Sequence, residues 1–293
     1  MKKFLGIVIL AFFISTNVFA VKFSHEVGEV VENEAYFGKK IKFPLPSGKF
    51  TVAVIHKKKE FRDVMLYQID EKTGYVRWAV QLMATGRTQW EWWNPGDMCK
   101  RTNIYFYKNK LANKKFACWI VNHTRTDISA NEGFWKEVRD YELANGIKHP
   151  DIMVYFRHNY AKGSKLYDMG YFYNPELDGV PKPESLEWDT NEFHMQRVMN
   201  YPKHEEFLKK FISVSASFID RFNKLNKVTG SLTLDASSFI TEASINTAEE
   251  KVSDNKQNVD KEIIKEIKTL KKLLDERVIT QDEFTKAKKK LLN

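Results

Sequence analysis

What is missing from this chain narrows the field first. Cys99 and Cys118 are its only cysteines among 293 residues, too few for a disulfide-built scaffold or a cysteine-rich metal site. Seven histidines (His25, His56, His123, His149, His158, His194 and His204) form no HExxH, no i,i+4 pair and no Cys/His box. A zinc site needs ligands at such spacings, so no metal is indicated. There is no G-x-S-x-G elbow, no Walker-type glycine loop and no dinucleotide fingerprint, so no cofactor is implied. Beyond residue 20 no apolar run approaches the roughly 20 residues that a membrane span needs. No internal repeat is evident.

The N-terminus is the exception to that last poverty. Met1-Lys2-Lys3 precedes an apolar stretch from Phe4 to Ile14, and Val18-Phe19-Ala20 supplies a small-residue cleavage site. Residues 1–20 read as a signal peptide, with the mature chain starting at Val21 in the periplasm or outside the cell. An uncleaved anchor is the alternative reading, but Ser15, Thr16 and Asn17 interrupt the apolar stretch. The formal charge is +9; Lys2 and Lys3 contribute two of these, leaving +7. A basic exported protein can meet anionic envelope components or other polyanions. The lysines are nevertheless spread along the chain, which suits a solvated basic surface. In an oxidising compartment the Cys99/Cys118 pair reads as a disulfide closing a loop of about 20 residues. A hairpin of Asn103–Tyr107 with Lys115–Val121 about Leu111 would put Ile104 opposite Cys118, so Cys99 would reach it from the preceding loop.

The pattern from residue 21 to 228 predicts an α+β domain, a largely antiparallel sheet with covering helices. Residues 21–45 carry few structural signals. Pro46-Ser47-Gly48 reads as a turn into a strand at Lys49–Ile55. Strands follow at Arg62–Asp70 and Tyr75–Met83, and a helix at Asn131–Ala144 stops at Asn145-Gly146. Ile152–Asn159 and Lys165–Tyr173 form the clearest hairpin. From Pro202 to Lys227, Phe207, Phe211, Ser215, Phe218, Phe222 and Leu225 mark one face of a long helix expected to close the core. Lys209, Lys210, Asp220 and Arg221 fall on the other face.

For chemistry, the densest constellation is Trp90-Glu91-Trp92-Trp93-Asn94. Three indoles around a carboxylate and an amide suit a platform on which a sugar ring or a base stacks, and equally suit core packing beside the Cys99–Cys118 bridge. Asn122–Asp127, with His123 and Arg125, is polar enough for an active-site loop, but no nucleophile accompanies it. Asp178, Glu187, Asp189 and Glu192 cluster in sequence, as solvated loop residues also do.

Residues 229–260 are rich in Ser, Thr, Asn, Ala and Asp and read as a flexible linker. Two short amphipathic helices then make a small C-terminal helical hairpin. Thr280 and Glu283 form a capping box at the second helix. Ile267, Leu270 and Leu274 on the first helix, with Ile279, Phe284 and Leu291 after it, line an apolar stripe. A unit this small cannot bury enough surface alone, so its stripe is expected to meet another copy or a partner protein. The motif Ile279-Thr280-x-x-Glu283-Phe284-x-x-x-Lys288-x-x-Leu291-Leu292, after Leu270-x-x-Leu273-Leu274, resembles the SHOCT (short C-terminal) domain of bacterial proteins over about residues 261–293. Arg277-Val278 stand where that family usually has a small residue or glycine. The resemblance implies an appended module, suspected of self-association, on a host of unrelated function, and does not by itself imply an enzyme activity. The leading expectation is a non-catalytic binding or scaffolding protein of the bacterial envelope. The alternatives are an enzyme on an envelope polymer or small metabolite, and a polyanion binder.

Overall fold

The computed structural model of the protein describes residues 21–58, 61–85, 99, 104–112, 115–127, 130–162 and 165–228. Within them runs one antiparallel sheet: β1 (Val30–Phe37), β2 (Ile41–Lys58), β3 (Phe61–Ile69), β4 (Val76–Thr85), β5 (Phe106–Ala112), β6 (Lys115–Arg125), β7 (Ile152–Lys162) and β8 (Lys165–Tyr173). The spatial order is β1-β2-β3-β4-β8-β7-β6-β5. Two four-strand meanders are thus joined where β4 pairs with β8. The chain passes from β4 at the centre to β5 at the far edge, and Cys99 on that passage is bonded to Cys118 of β6. The expected disulfide is present.

Alternation gives the sheet two different faces. Leu66, Val80, Phe156 and Tyr171 point to one side, where helix α2 (Pro202–Asn226) lays Phe207, Phe211, Ile212, Ile219 and Phe222 across them. Met65, Tyr67, Ala79 and Met153 point to the other, beneath Phe134 and Val138 of helix α1 (Gly133–Asn145). The α2 side holds the main core, and the covering-helix expectation is met there. Proline at the first turn of α2 lacks only an N–H that the helix would leave unpaired anyway. Gly146 ends α1 in the left-handed conformation, its N–H donating to Glu142 and Leu143 carbonyls.

Four expectations are corrected. Residues 21–45 are not signal-poor loop: they hold β1 and the start of β2. The strand is hard to read because Asn33 takes a positive φ of 65°, which breaks the alternation of Val31, Ala35 and Phe37. Pro46-Ser47-Gly48 is not a turn between elements but a bulge within β2, since Glu32 pairs with Lys49 while Glu34 pairs with Pro44. Arg221 is not simply turned to solvent, because its guanidinium donates to the Asn33 and Leu45 carbonyls at that bulge. The β5–β6 register also differs: Asn109, not Ile104, stands opposite Cys118. Ile104 lies before β5 and packs with Ile120 and Tyr155.

Candidate functional site

A groove of about 900 Å³ opens where the ends of β3, β4 and β8 meet the first three turns of α2. Its floor follows from sheet register. Gln68, Trp78 and Tyr173 lie in one row across the three strands, so all three side chains reach the same face. Helical spacing then brings Phe207, Phe211 and Val214 along the opposite wall. Trp78 sits 4.6 Å from Tyr173 and 6.0 Å from Phe211 between ring centroids, and Tyr173 stacks on Phe207 at 5.9 Å. The rings are therefore in continuous contact: Tyr173, Phe207 and Phe211 are buried, and half-buried Trp78 is the aromatic most open to the groove.

The rim is charged. Arg77 pairs with Asp70, whose carboxyl is held down at about pKa 2 by the Arg77 guanidinium and by two hydrogen bonds from Thr73. Lys210 pairs with Glu206 at 2.7 Å. Asp178 accepts a 2.8 Å hydrogen bond from the Tyr173 hydroxyl, which burial and that carboxylate together hold well above its usual phenol range. Local chain geometry places Asp178: Asn174 caps the 3-10 turn Pro175–Asp178 by accepting from Glu176 N–H, and Gly179 closes it at a positive φ of 77°. Lys203 completes the rim and has no ion-pair partner among the described residues. At the other end Gln68 donates to the Ser47 carbonyl, while its own Oε1 is buried and finds no hydrogen-bond partner among them.

Two other polar clusters lie elsewhere. Under the loop before α2, His123 stacks on Trp188 with centroids 4.4 Å apart and shares a 2.7 Å hydrogen bond with the Tyr105 hydroxyl. Burial, then the proximity of His194, pushes its pKa down to about 3, so it is neutral at physiological pH. This is where the polar stretch at Asn122–Asp127 goes. Asn122, His123 and Arg125 are on β6, and Asn122 and His123 are buried. Arg125 binds Asp127 and lies 3.7 Å from Glu187. Of the carboxylates clustered near residue 185, Glu187 and Asp189 are exposed and Glu192 is buried, its Oε1 accepting from Glu184 N–H.

On the opposite face a band of polar residues crosses the sheet. Asp63, Met83, Asp168, Asn159 and Cys118 follow one another in register, and Arg157 grips both oxygens of Asp168. Burial, reinforced by the Asp168 charge, raises Asp63 to about 6 against the pull of His56 and Arg157. Nearer α1, Glu142 accepts from Tyr67 at 2.5 Å and lies 3.0 Å from His149 Nε2. Burial works against the Glu142 charge, but His149 and Tyr67 outweigh it and lower its pKa. Among the described residues no group of His, Cys, Asp and Glu is arranged to hold a metal ion.

Of the site residues expected from sequence, Cys99 and Cys118 are placed and bonded. Trp90, Glu91, Trp92, Trp93 and Asn94 lie outside the described residues. So do Ile267, Leu270, Leu274, Ile279, Thr280, Glu283, Phe284 and Leu291. The groove residues Trp78, Tyr173 and Lys203 carry no site motif in the sequence, and the helical period assigns Phe207 and Phe211 to the core alone. The available signal was a tryptophan on a strand next to two aromatics at i,i+4 on a helix, which is indistinguishable from core until the strands are ordered. No helix among the described residues is long and apolar enough to cross a membrane. No family model matches the chain, no curated protein is similar to it, and no solved structure matches it.

Proposed function

We propose that this is an exported, non-catalytic binding protein of the cell envelope, with the groove between β4, β8 and α2 as its ligand site and the SHOCT-like tail as its association module. One observation carries the reading: an aromatic floor of Trp78, Tyr173, Phe207 and Phe211 under a charged rim, enclosing about 900 Å³. A cavity of that size and mixed lining suits a small-molecule ligand. Arg77, Lys210, Glu206, Asp178 and Tyr173 are each engaged with a neighbouring group, and none of them is grouped with another as nucleophile, base and orienting residue, which favours binding over catalysis. The Cys99–Cys118 disulfide fits an oxidising compartment.

Native mass spectrometry on protein purified from an envelope extract tests the reading. Wild type should carry a small-molecule adduct, and Val214→Glu, a change at a 40% exposed wall position, should lose it. A wild-type spectrum without adduct, together with no binding of any amphiphile or saccharide added to it, would remove the groove as a ligand site.

A further inference from the structure

The two ends of α2 have different surroundings. Its first turns face the groove, whereas its last turn lies against the turn between β1 and β2. There Asn226 donates to the Lys42 carbonyl at 2.7 Å and accepts from the Lys42 N–H at 3.0 Å. The stretch before β1 is fastened to the same corner. Gly38 N–H donates to the Lys22 carbonyl at 2.7 Å, the Ser24 hydroxyl donates to the Gly38 carbonyl, and Phe23 bridges to Phe37. Three segments far apart in the sequence therefore carry Lys22, Lys39, Lys40, Lys224 and Lys227 to one corner of the domain, all of them exposed.

These five charges are not spent on one another's neighbours. Among the described residues the ion pairs of this corner belong to Lys42 and Arg221, which share Glu34 at 3.6 and 3.8 Å. Asp220, one turn before Lys224, offsets one ammonium of the five. Glu26 and Glu29 lie at the far end of β1, where Gly28 N–H donates to the Val52 carbonyl. The negative end of the α2 dipole accounts for Lys224 and Lys227. It does not account for Lys22, Lys39 and Lys40. Like charges gathered by the fold repel one another, and an anionic surface outside the molecule relieves that repulsion.

We infer that this corner docks on an anionic phospholipid surface, an interaction that does not rest on the groove. Lysine is a point charge on a flexible stem, suited to a plane of headgroups, and it lacks the guanidinium fork that reads a base edge. The rings of the corner are withdrawn from any base that would stack on them: Phe23 and Phe37 are buried, and half-buried Tyr36 lies beneath Lys42, whose Nζ is 5.4 Å from its centroid. The sequence adds proximity to a bilayer. The apolar stretch Phe4–Ile14 joins this corner through Val21, and from Ile14 to Val21 extended chain reaches at most about 25 Å.

Vesicle flotation tests it on the chain that cleavage after Ala20 would release, Val21 to Asn293. Wild type should float with phosphatidylcholine vesicles containing about 30 % phosphatidylglycerol and not with phosphatidylcholine alone. It should detach as salt rises from about 0.05 to about 0.5 M. Each lysine at such a surface contributes a factor of about five, so Lys39→Gln with Lys40→Gln should weaken binding about 30-fold. Lys224→Gln with Lys227→Gln should do the same. Lys72→Gln with Lys148→Gln removes equal charge from exposed positions beside the turn between β3 and β4, and should change binding less than about twofold. The lysines of the tail are common to every variant, and matched urea midpoints establish that all are folded. Equal weakening by the three pairs makes total charge the cause and overturns the inference. Flotation with neither vesicle, or equally with both, overturns it too. Tighter binding to a DNA duplex than to the anionic vesicles, lost in the same two corner variants, overturns the lipid assignment and makes the corner a nucleic-acid surface.

Discussion

Asp63→Asn is expected to stabilise the protein above pH 7 and to do nothing near pH 4. The Asp63 side chain sits on β3 in the polar band, between His56 on β2 and Met83 on β4, with Asp168 one strand further along. Burial and the Asp168 charge raise its carboxyl from 3.8 to about 6. The folded state therefore holds this proton more tightly than the unfolded chain does. The contribution is fully present below pH 3.8 and is lost as pH rises through 6, so ionised Asp63 opposes folding above that window. The shift is about two units at 1.36 kcal/mol each, a ceiling near 3 kcal/mol. Solvent screening of a partly buried group reduces this to about 2 kcal/mol. An amide removes the charge while keeping the shape. Urea melts of both proteins at pH 4 and pH 8 measure the difference: about 2 kcal/mol in favour of the variant at pH 8, near zero at pH 4. In thermal melts the pH 8 gain corresponds to roughly 4–8 °C for a domain of this size. Equal effects at the two pH values, or a less stable variant at pH 8, would refute the burial-and-repulsion account. A companion change, Asp168→Asn, should instead destabilise by about 2 kcal/mol, because it leaves the Arg157 guanidinium without its bidentate partner.

Three further outcomes are expected. Cys118→Ser, compared with wild type under non-reducing conditions, should cost about 3 kcal/mol, the cross-link entropy of a loop this long, and added reductant should reproduce the loss; urea midpoints decide. Gly48→Ala should cost about 1–3 kcal/mol, since Gly48 has φ +110° and an added Cβ would stand 2.0 Å from Gln68 Nε2; a neutral melt would show that the β2 bulge relaxes freely. Phe284→Asp, and separately truncation after residue 228, should lower the number of chains per particle, the light-scattering molar mass divided by the chain mass, without unfolding the sheet; an unchanged number in both removes the association role of the tail.

Where the physics is local, the sequence was readable. The strands at β3, β4, β7 and β8, the stop of α1 at Gly146 and the start of α2 at Pro202 follow from alternation, helical period and cap chemistry, all of which act within a few residues. Two cysteines in a chain with a signal-like start pointed to the bond that joins Cys99 to Cys118. Local patterns failed where a distant partner decided the backbone. β1 is hard to read because Asn33 interrupts its alternation, and the Asn33 carbonyl is held by Arg221, 188 residues away. The β5–β6 register depended on pairing that the turn composition did not disclose.

The candidate site shows the same division more sharply. From its sequence alone this chain determined that its domain is a helix-covered antiparallel sheet, because periodicity encodes which side chain faces inward whatever the order of the strands. It also determined where apolar residues are plentiful. Which aromatics share a surface, and which of them are left bordering open space, depended on the order β4-β8 and on the path of α2 over it. Trp78, Tyr173 and Phe207 are separated by 129 positions from first to last, and no local rule connects them. The tertiary structure brought them together and placed Lys203 at the rim, since adjacency between non-neighbouring strands is settled by the packing of the whole sheet and not by any segment of it.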